Sequence, residues 1–275
     1  TMSDTMSDTM SDTMPDQSKT VSIVTVTQYS RRECLENLTK LIKSQLYTNI
    51  VEWVIVEGSR YSADADANSY HITNIQDAMM HKLRVLYVPF EMKQCLSDRR
   101  NKGNQLCNGD IIVCMDDDDY YPPNRVSHAV YMLNNSTSLI AGCSPVYIYF
   151  YLTRQFFKFK SYGTNHSTNN CMAYKRAYLE THAYEGGLDK SEESSFTNGF
   201  TESMVQLDPM KTIVVSGHGS NTVDKRGFVE QNSKMIISLN DGSIMDYIPL
   251  AIILKMEVIF KNVEIVNIKQ NKQNK

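Results

Sequence analysis

A chain of 275 residues, 41% apolar and 21% charged, can bury the core of a large globular domain, which excludes a fibrous or wholly disordered protein. A net charge of −3, with no lysine or arginine stripe, excludes an electrostatic case for nucleic acid as partner. Six scattered cysteines, with no CxxC pair and no zinc-ligand spacing, read as reduced thiols and favour a soluble, cytoplasmic protein.

Residues 1–19 open on the repeat TMSD, which has no apolar segment and predicts a disordered tail without a signal peptide. Thr20 to Thr27 is β-branched and predicts a buried strand. Arg31 to Leu46 follows, with Leu35, Leu38, Leu41, Ile42 and Leu46 at helical spacing. Val51 to Val56 predicts a second strand, ending at Glu57-Gly58-Ser59, and Arg60 to Asn74 predicts a loop. Leu83 to Val88 predicts a short third strand closed by Pro89. Ser97 to Leu106 predicts a helix with Ser97 as N-cap. Asp110 to Met115 predicts the fourth strand. This alternation predicts an α/β fold, a mostly parallel central sheet flanked by helices. In such open sheets ligands bind beyond the carboxyl ends of the strands. Glu57-Gly58-Ser59 and Asp116 to Asp119 both fall at such ends.

Asp116 to Asp119 are four adjacent carboxylates, and Tyr120-Tyr121-Pro122-Pro123 ends the segment. Their mutual repulsion calls for a cation. Hard oxygen ligands in this place suit Mg²⁺ or Mn²⁺ shared with a substrate phosphate.

The second half reads differently. Leu139 to Leu152 and Gln155 to Phe159 are β-rich and predict a hairpin around Thr153-Arg154. Cys171 to His182 carries a helical pattern from near Lys175. Lys190 to Ser195 (KSEESS) has the composition of an exposed loop. Thr212 to Ser216 predicts a further strand, closed by Gly217-His218-Gly219. Ile248 to Phe260 is apolar but carries Pro249, Lys255 and Glu257. It falls short of the roughly 20 residues of a membrane span, so it predicts a core or docking helix with membrane contact at most peripheral.

Residues 20 to 125 resemble the GT-A glycosyltransferases, family 2 in particular. The family segment S-x-x-x-Q-x-Y is similar to Ser44-Gln45-Leu46-Tyr47, with Gln45 and Tyr47 at the family spacing and Ser44 displaced. The strand end D-D-G-S is similar to Val56-Glu57-Gly58-Ser59, with glutamate where the family usually has aspartate. The motif A-R-N-x-G resembles Arg100-Asn101-Lys102-Gly103, followed by Asn108-Gly109-Asp110. The D-x-D motif resembles Asp116-Asp117-Asp118, with Asp119 beyond it and a proline at Pro122 or Pro123. Later, Ser191-Glu192-Glu193 resembles the acidic acceptor-site motif, and His218 resembles the late histidine that completes some metal shells.

The resemblance implies a GT-A domain over 20–235, with a nucleotide-binding half (20–120) and an acceptor half (121–235), and a C-terminal extension at 236–275. It implies metal-dependent, inverting transfer of a sugar, a hexose above all, from a UDP- or GDP-sugar to a hydroxyl of a glycan, protein or lipid. Asp118 would be a direct ligand of Mn²⁺ or Mg²⁺. Asp116 would hold the ribose or a metal-bound water. Which of Asp117 to Asp119 faces the metal stays open. His218 would add a metal or diphosphate contact. Glu57 would accept from the nucleobase, Arg100 (or Arg99) would pair with the diphosphate, and Asp117 would support the nucleotide. Glu193 would be the general base, with Glu192 as its substitute. Lys225 and Arg226 read as exposed, though they could close over a diphosphate. Two other readings are a nucleotidyltransferase and a non-catalytic glycan- or nucleotide-binding module on the same fold. The first usually has a glycine-rich loop after its first strand, and Thr25 to Ser30 contains no glycine.

Overall fold

The computed structural model describes residues 17–28, 31–58, 83–89, 94–219, 221, 225–231 and 233–273. The TMSD repeat, Ser59 and the Arg60 to Asn74 segment lie outside the described residues.

Strand β1 (Val21–Gln28) is buried along nearly its whole length, as a strand with neighbours on both edges and helices over the sheet requires. Helix α1 (Arg32–Lys43) buries Leu35, Leu38, Leu41 and Ile42 against it. Strand β2 (Ile50–Gly58) pairs in parallel with β1 and with β3 (Arg84–Pro89). Helix α2 (Leu96–Leu106) packs on β1 and β2 through Gly103, where a Cβ would sit 2.6 Å from the Val24 side chain. Strand β4 (Ile111–Cys114) pairs in parallel with the other edge of β1. Helix α3 (Arg125–Asn134) then covers the far end of the sheet.

Strands β5 (Ile140–Gly142), β8 (Ala173–Lys175) and β9 (Met204–Gln206) complete a seven-stranded sheet, ordered β3-β2-β1-β4-β8-β5-β9. Strand β8 is antiparallel to β4 and β5, so the parallel run ends beside the aspartates. A second sheet has the order β10-β6-β7-β11, from β6 (Val146–Phe150), β7 (Gln155–Phe159), β10 (Val214–Gly217) and β11 (Ile236–Leu239). Two short helices complete this half: α4 (Glu192–Phe196) and α5 (Lys225–Gln231). The last helix is α6 (Leu250–Gln273).

Four local expectations are corrected. Ser97 lies inside α2, which begins after Cys95; its hydroxyl accepts from Leu188 N–H at 3.0 Å and so ties down a distant loop. The β-rich run from Leu139 is cut by Ser144-Pro145, which sends β5 and β6 to different sheets; only β6 and β7 form the hairpin. Residues from Ala173 form β8 and then a 3₁₀ turn (Arg176–Glu180) in place of an α-helix. The KSEESS segment contains α4, because the fully buried Phe196 anchors it on Tyr184 and Tyr178.

Helix α6 buries Ile253, Met256, Ile259 and Phe260 and leaves Leu250, Leu254 and Val258 exposed. Phe260 stacks on His218 with ring centroids 4.2 Å apart, so the C-terminal helix reaches the site. Among the described residues no helix is long and apolar enough to cross a membrane.

Candidate active site

The carboxyl ends of β1 and β4 open onto one cavity, lined by Thr27, Arg31 and Asp116 to Asp119 on this side. The four carboxylates have separate partners. Asp116 is half-buried and takes Arg100 Nη1 at 3.2 Å and Nη2 at 3.4 Å on its two oxygens. Asp117 accepts from Thr27 Oγ1 at 2.6 Å and from Arg31 Nη1 at 3.0 Å. Asp118 accepts from the same Arg31 nitrogen at 3.0 Å and from Asn221 Nδ2 at 3.2 Å, with His218 Nε2 2.9 Å away. Asp119 accepts from Asn170 Nδ2 at 2.6 Å and from the Ser216 backbone N–H at 2.8 Å. The charge repulsion read from the sequence is thus met inside the protein by two guanidinium groups.

Burial and neighbouring charges separate Asp117, Asp118 and Asp119 electrostatically. Burial pushes Asp117 up to about 6 against the pull of Arg31, and Asp119 up to about 7 with Asp118 adding to it. Burial also works against the charge of Asp118, but Arg31, His218 and Lys225 overcome it and hold that carboxyl well below the usual carboxylate range. Asp118 is therefore the fixed anion of the run, and Asp117 and Asp119 brace β1 and β10 around it.

The motif residues behind the cavity are positioning groups. Gln45 donates to the Pro122 carbonyl at 3.0 Å and accepts from Val126 N–H at 3.1 Å, which pins the chain leaving the aspartates. Arg125 is fully buried and donates to the carbonyls of Cys171 and Met172, both at 2.9 Å. Asn101 donates to Tyr184 O at 2.8 Å and accepts from Tyr184 N–H at 2.9 Å, which fixes the segment leading to α4.

Helix α4 forms the opposite wall. It follows Ser191, whose φ of 55° is left-handed and turns the chain sharply into the cavity. Glu192 is buried and accepts from Arg100 Nε at 2.8 Å. Arg100, expected to pair with the diphosphate, lines the cavity and is held between Asp116 and Glu192, and so joins the two walls. Glu193 lines the cavity and makes no ion pair among the described residues. Burial, with Glu192 beside it, pushes Glu193 up to about 7.

Other expected residues fall around this core. Glu57 sits on β2 behind the cavity wall, where Tyr87 donates to it and burial pushes it up to about 7. Arg99 covers Gly58 in front of it: a Cβ on Gly58 would lie 2.5 Å from Arg99 Cδ. Lys225 is half-buried on the cavity wall and donates to Ser216 O at 2.8 Å, a correction to its expected exposure; Arg226 is exposed. Sequence reasoning missed Arg31 and Asn221. The signal for Arg31 was its position, directly after a strand end and at the start of α1.

The donor set tests whether a divalent cation fits. Among the described residues no group of three or more His, Cys, Asp or Glu is placed to hold one. Mg²⁺ and Mn²⁺ at nucleotide sites, however, use one or two carboxylates and take their other ligands from substrate phosphates and water. Asp118 supplies one hard oxygen, which suits Mg²⁺ or Mn²⁺, and His218 places an imidazole beside it. Burial lowers His218 and favours the neutral imidazole that binds metals. The residues present fit the ion, with Asp118 and His218 as its holders and Asp116 committed to Arg100.

Comparison with curated proteins finds no match. Among solved structures, the mannosyltransferase PcManGT from Pyrobaculum calidifontis, in complex with GDP-Man and Mn²⁺, superposes with a TM-score of 0.57 at 18% identity. That match covers 77% of this chain and 61% of the other. TarS 1-349 from S. aureus, in complex with UDP-GlcNAc, gives a TM-score of 0.55 at 14% identity over 74% of this chain and 60% of TarS. The chain therefore spans about three fifths of the length of these structures. The likeness establishes the fold, which is GT-A. The model of glycosyl transferase family 2 matches residues 22–184, more than half of the chain, and the protein belongs to that family.

Proposed function

We propose that the protein transfers a sugar from a nucleoside diphosphate sugar to a hydroxyl acceptor, with inversion at the anomeric carbon and with Mn²⁺ or Mg²⁺ bound. The observation that carries this reading is the pairing of two unlike walls across one cavity: Asp118 with His218 on one side, Glu193 on the other.

Asp118 and His218 would hold the ion, which when bound neutralises charge on a diphosphate leaving group. Lys225 adds a cation on the same side. Arg31 and Arg100 fix the aspartates without contacting the acceptor wall in the same way: Arg31 braces Asp117 and Asp118, and Arg100 spans from Asp116 to Glu192.

Glu192 and Glu193 are adjacent, but their surroundings differ. Glu192 is ion-paired with Arg100 and so is committed to joining the two walls. Glu193 has no cation partner among the described residues and is poised near neutral pH, where a general base works best. It would take the proton of the acceptor hydroxyl as that oxygen attacks the anomeric carbon from the side opposite the diphosphate. Attack from that side inverts the centre. Supporting this reading, the two solved relatives above carry GDP-Man and UDP-GlcNAc. The acceptor would be a glycan, protein or lipid hydroxyl. The catalytic unit proposed is 20–235, its nucleotide-binding half 20–120 and its acceptor half 121–235, with 236–275 as a C-terminal extension that carries Phe260 to His218.

The test is product analysis with UDP- and GDP-hexoses in Mn²⁺, following the anomeric proton of the product by NMR. The reading requires transfer with inverted configuration that EDTA abolishes. Retained configuration, or full transfer in EDTA, contradicts it.

A further inference from the structure

Arg99 is a buried cation that makes no ion pair among the described residues, with Asp189 and Asp117 acting on it only from a distance. It is 8% exposed. Its Nη1 donates to the Thr27 carbonyl at 3.2 Å, and its Nε has no hydrogen-bond partner among the described residues. Its neighbours on the same wall are treated differently: Arg31 has Asp117 and Asp118, and Arg100 has Asp116 and Glu192. Burial, with repulsion from Arg100, lowers the Arg99 pKa. A buried charge without a partner is costly, and a structure that keeps one inside a cavity has a use for it. The A-R-N-x-G pattern has alanine at this position, which a plain packing role would satisfy.

Its place in the fold says what it meets. The guanidinium lies against Thr27 at the end of β1 and against Gly58 at the end of β2, and a side chain on Gly58 would overlap it. Asp118, His218 and Lys225 stand at the β4 and β10 side of the cavity. On the proposed reading, on which this inference rests, the diphosphate belongs to that side. A nucleoside diphosphate carries its charge at one end and its base at the other, so the base falls at the β1–β2 side. Glu57 is behind the wall there and bound by Tyr87, so among the described residues Arg99 is the charged group that the base would meet on this side.

We propose that Arg99 reads the nucleobase, donating from its guanidinium to the ring carbonyl that uracil carries at position 4 and guanine at position 6. Cytosine and adenine carry an amino group there, which would set donor against donor. Arginine forks pair with keto edges of bases in the same manner elsewhere.

The experiment measures the affinities of UDP, GDP, CDP, ADP, uridine and inorganic pyrophosphate for the full chain in Mn²⁺, in wild type, Arg99→Met and Arg99→Lys. A hydrogen bond to a charged group predicts a preference of roughly ten- to hundredfold for a keto-edged nucleotide over its amino-edged counterpart in wild type. Arg99→Met should lose that preference and weaken uridine, yet keep the affinity for pyrophosphate. Arg99→Lys should recover only part, because it keeps the charge and loses the fork. Without nucleotide, Arg99→Met should melt no lower than wild type, since it removes an unpaired buried charge. An unchanged base preference in Arg99→Met overturns the inference. So does an equal loss for pyrophosphate and every nucleotide, which would make Arg99 a phosphate contact, and so does a lower melting temperature of the free Arg99→Met chain, which would make it structural. If neither nucleotides nor pyrophosphate bind any of the three proteins, the proposed function falls together with the inference.

Discussion

The two walls of the cavity handle carboxylates in opposite ways. Every aspartate of Asp116 to Asp119 is held by at least two hydrogen bonds, from Arg31, Arg100, Thr27, His218, Asn170, Asn221 or the Ser216 backbone. Across the cavity, Glu193 sits on a helix of five residues with no ion pair among the described residues. The fixed charge of Asp118, braced by its neighbours, suits binding a cation and a diphosphate. A half-buried carboxylate outside any ion pair keeps an adjustable proton affinity, which suits proton transfer.

The sharpest way to break this contrast is at Glu193. Glu193→Gln is expected to lower transfer by about 10²–10⁴-fold, read by initial rates, while Glu192→Gln acts mainly on stability. A next step is to cut the link between the walls. Arg100→Met strands the charges of Asp116 and Glu192 and is expected to destabilise the fold by about 3–5 kcal/mol in chemical denaturation. Arg100→Met paired with Glu192→Met should recover part of that loss, because one stranded charge is then gone.

The pH dependence sharpens the comparison further. As a base, Glu193 must be ionised, so transfer should rise as pH increases through about 7 in a kcat profile. Its effect on stability has the opposite sign. Folding raises this carboxyl from its ordinary range near 4.5 to about 7, so the fold disfavours its ionisation, and stability falls as pH rises across that window. Glu193→Gln should therefore melt higher than wild type at pH 8 and alike at pH 4. Asp118 is shifted the other way, so its contribution is present at neutral pH and is lost only in strong acid. The smallest effect is at a positioning residue: Asn101→Ala removes the ties to Tyr184 and is expected to cost about 1–2 kcal/mol of stability, with a modest fall in rate.

The first wall was legible in the sequence because its signals are local. A β-branched run, a 3.6-residue helical period and acidic strand ends each occupy a few consecutive residues, and β1, α1, β2 and β4 follow from them. The second wall was not, because tertiary contacts decide it. KSEESS is polar and reads as a loop, yet Phe196 and Tyr184 stack with centroids 4.1 Å apart and draw α4 into the core. The same holds for β8, which forms because it can pair with both β4 and β5, not because Ala173–Lys175 has a strand pattern. Within the site, the aspartate run announced a need for positive charge, but nothing local says that Arg31, 86 residues before Asp117, would meet it. Arg100 was noticed for its motif, and its partners could be known only once α4 was placed.

The division between the walls is tested most directly by one crossed measurement: donor affinity by calorimetry with UDP- and GDP-sugars, with and without Mn²⁺, for wild type, Asp118→Asn and Glu193→Gln. The account predicts binding that Mn²⁺ strengthens in wild type and in Glu193→Gln alike, and that loses this Mn²⁺ dependence in Asp118→Asn. Mn²⁺-dependent binding that survives Asp118→Asn, or that is lost in Glu193→Gln, would contradict it.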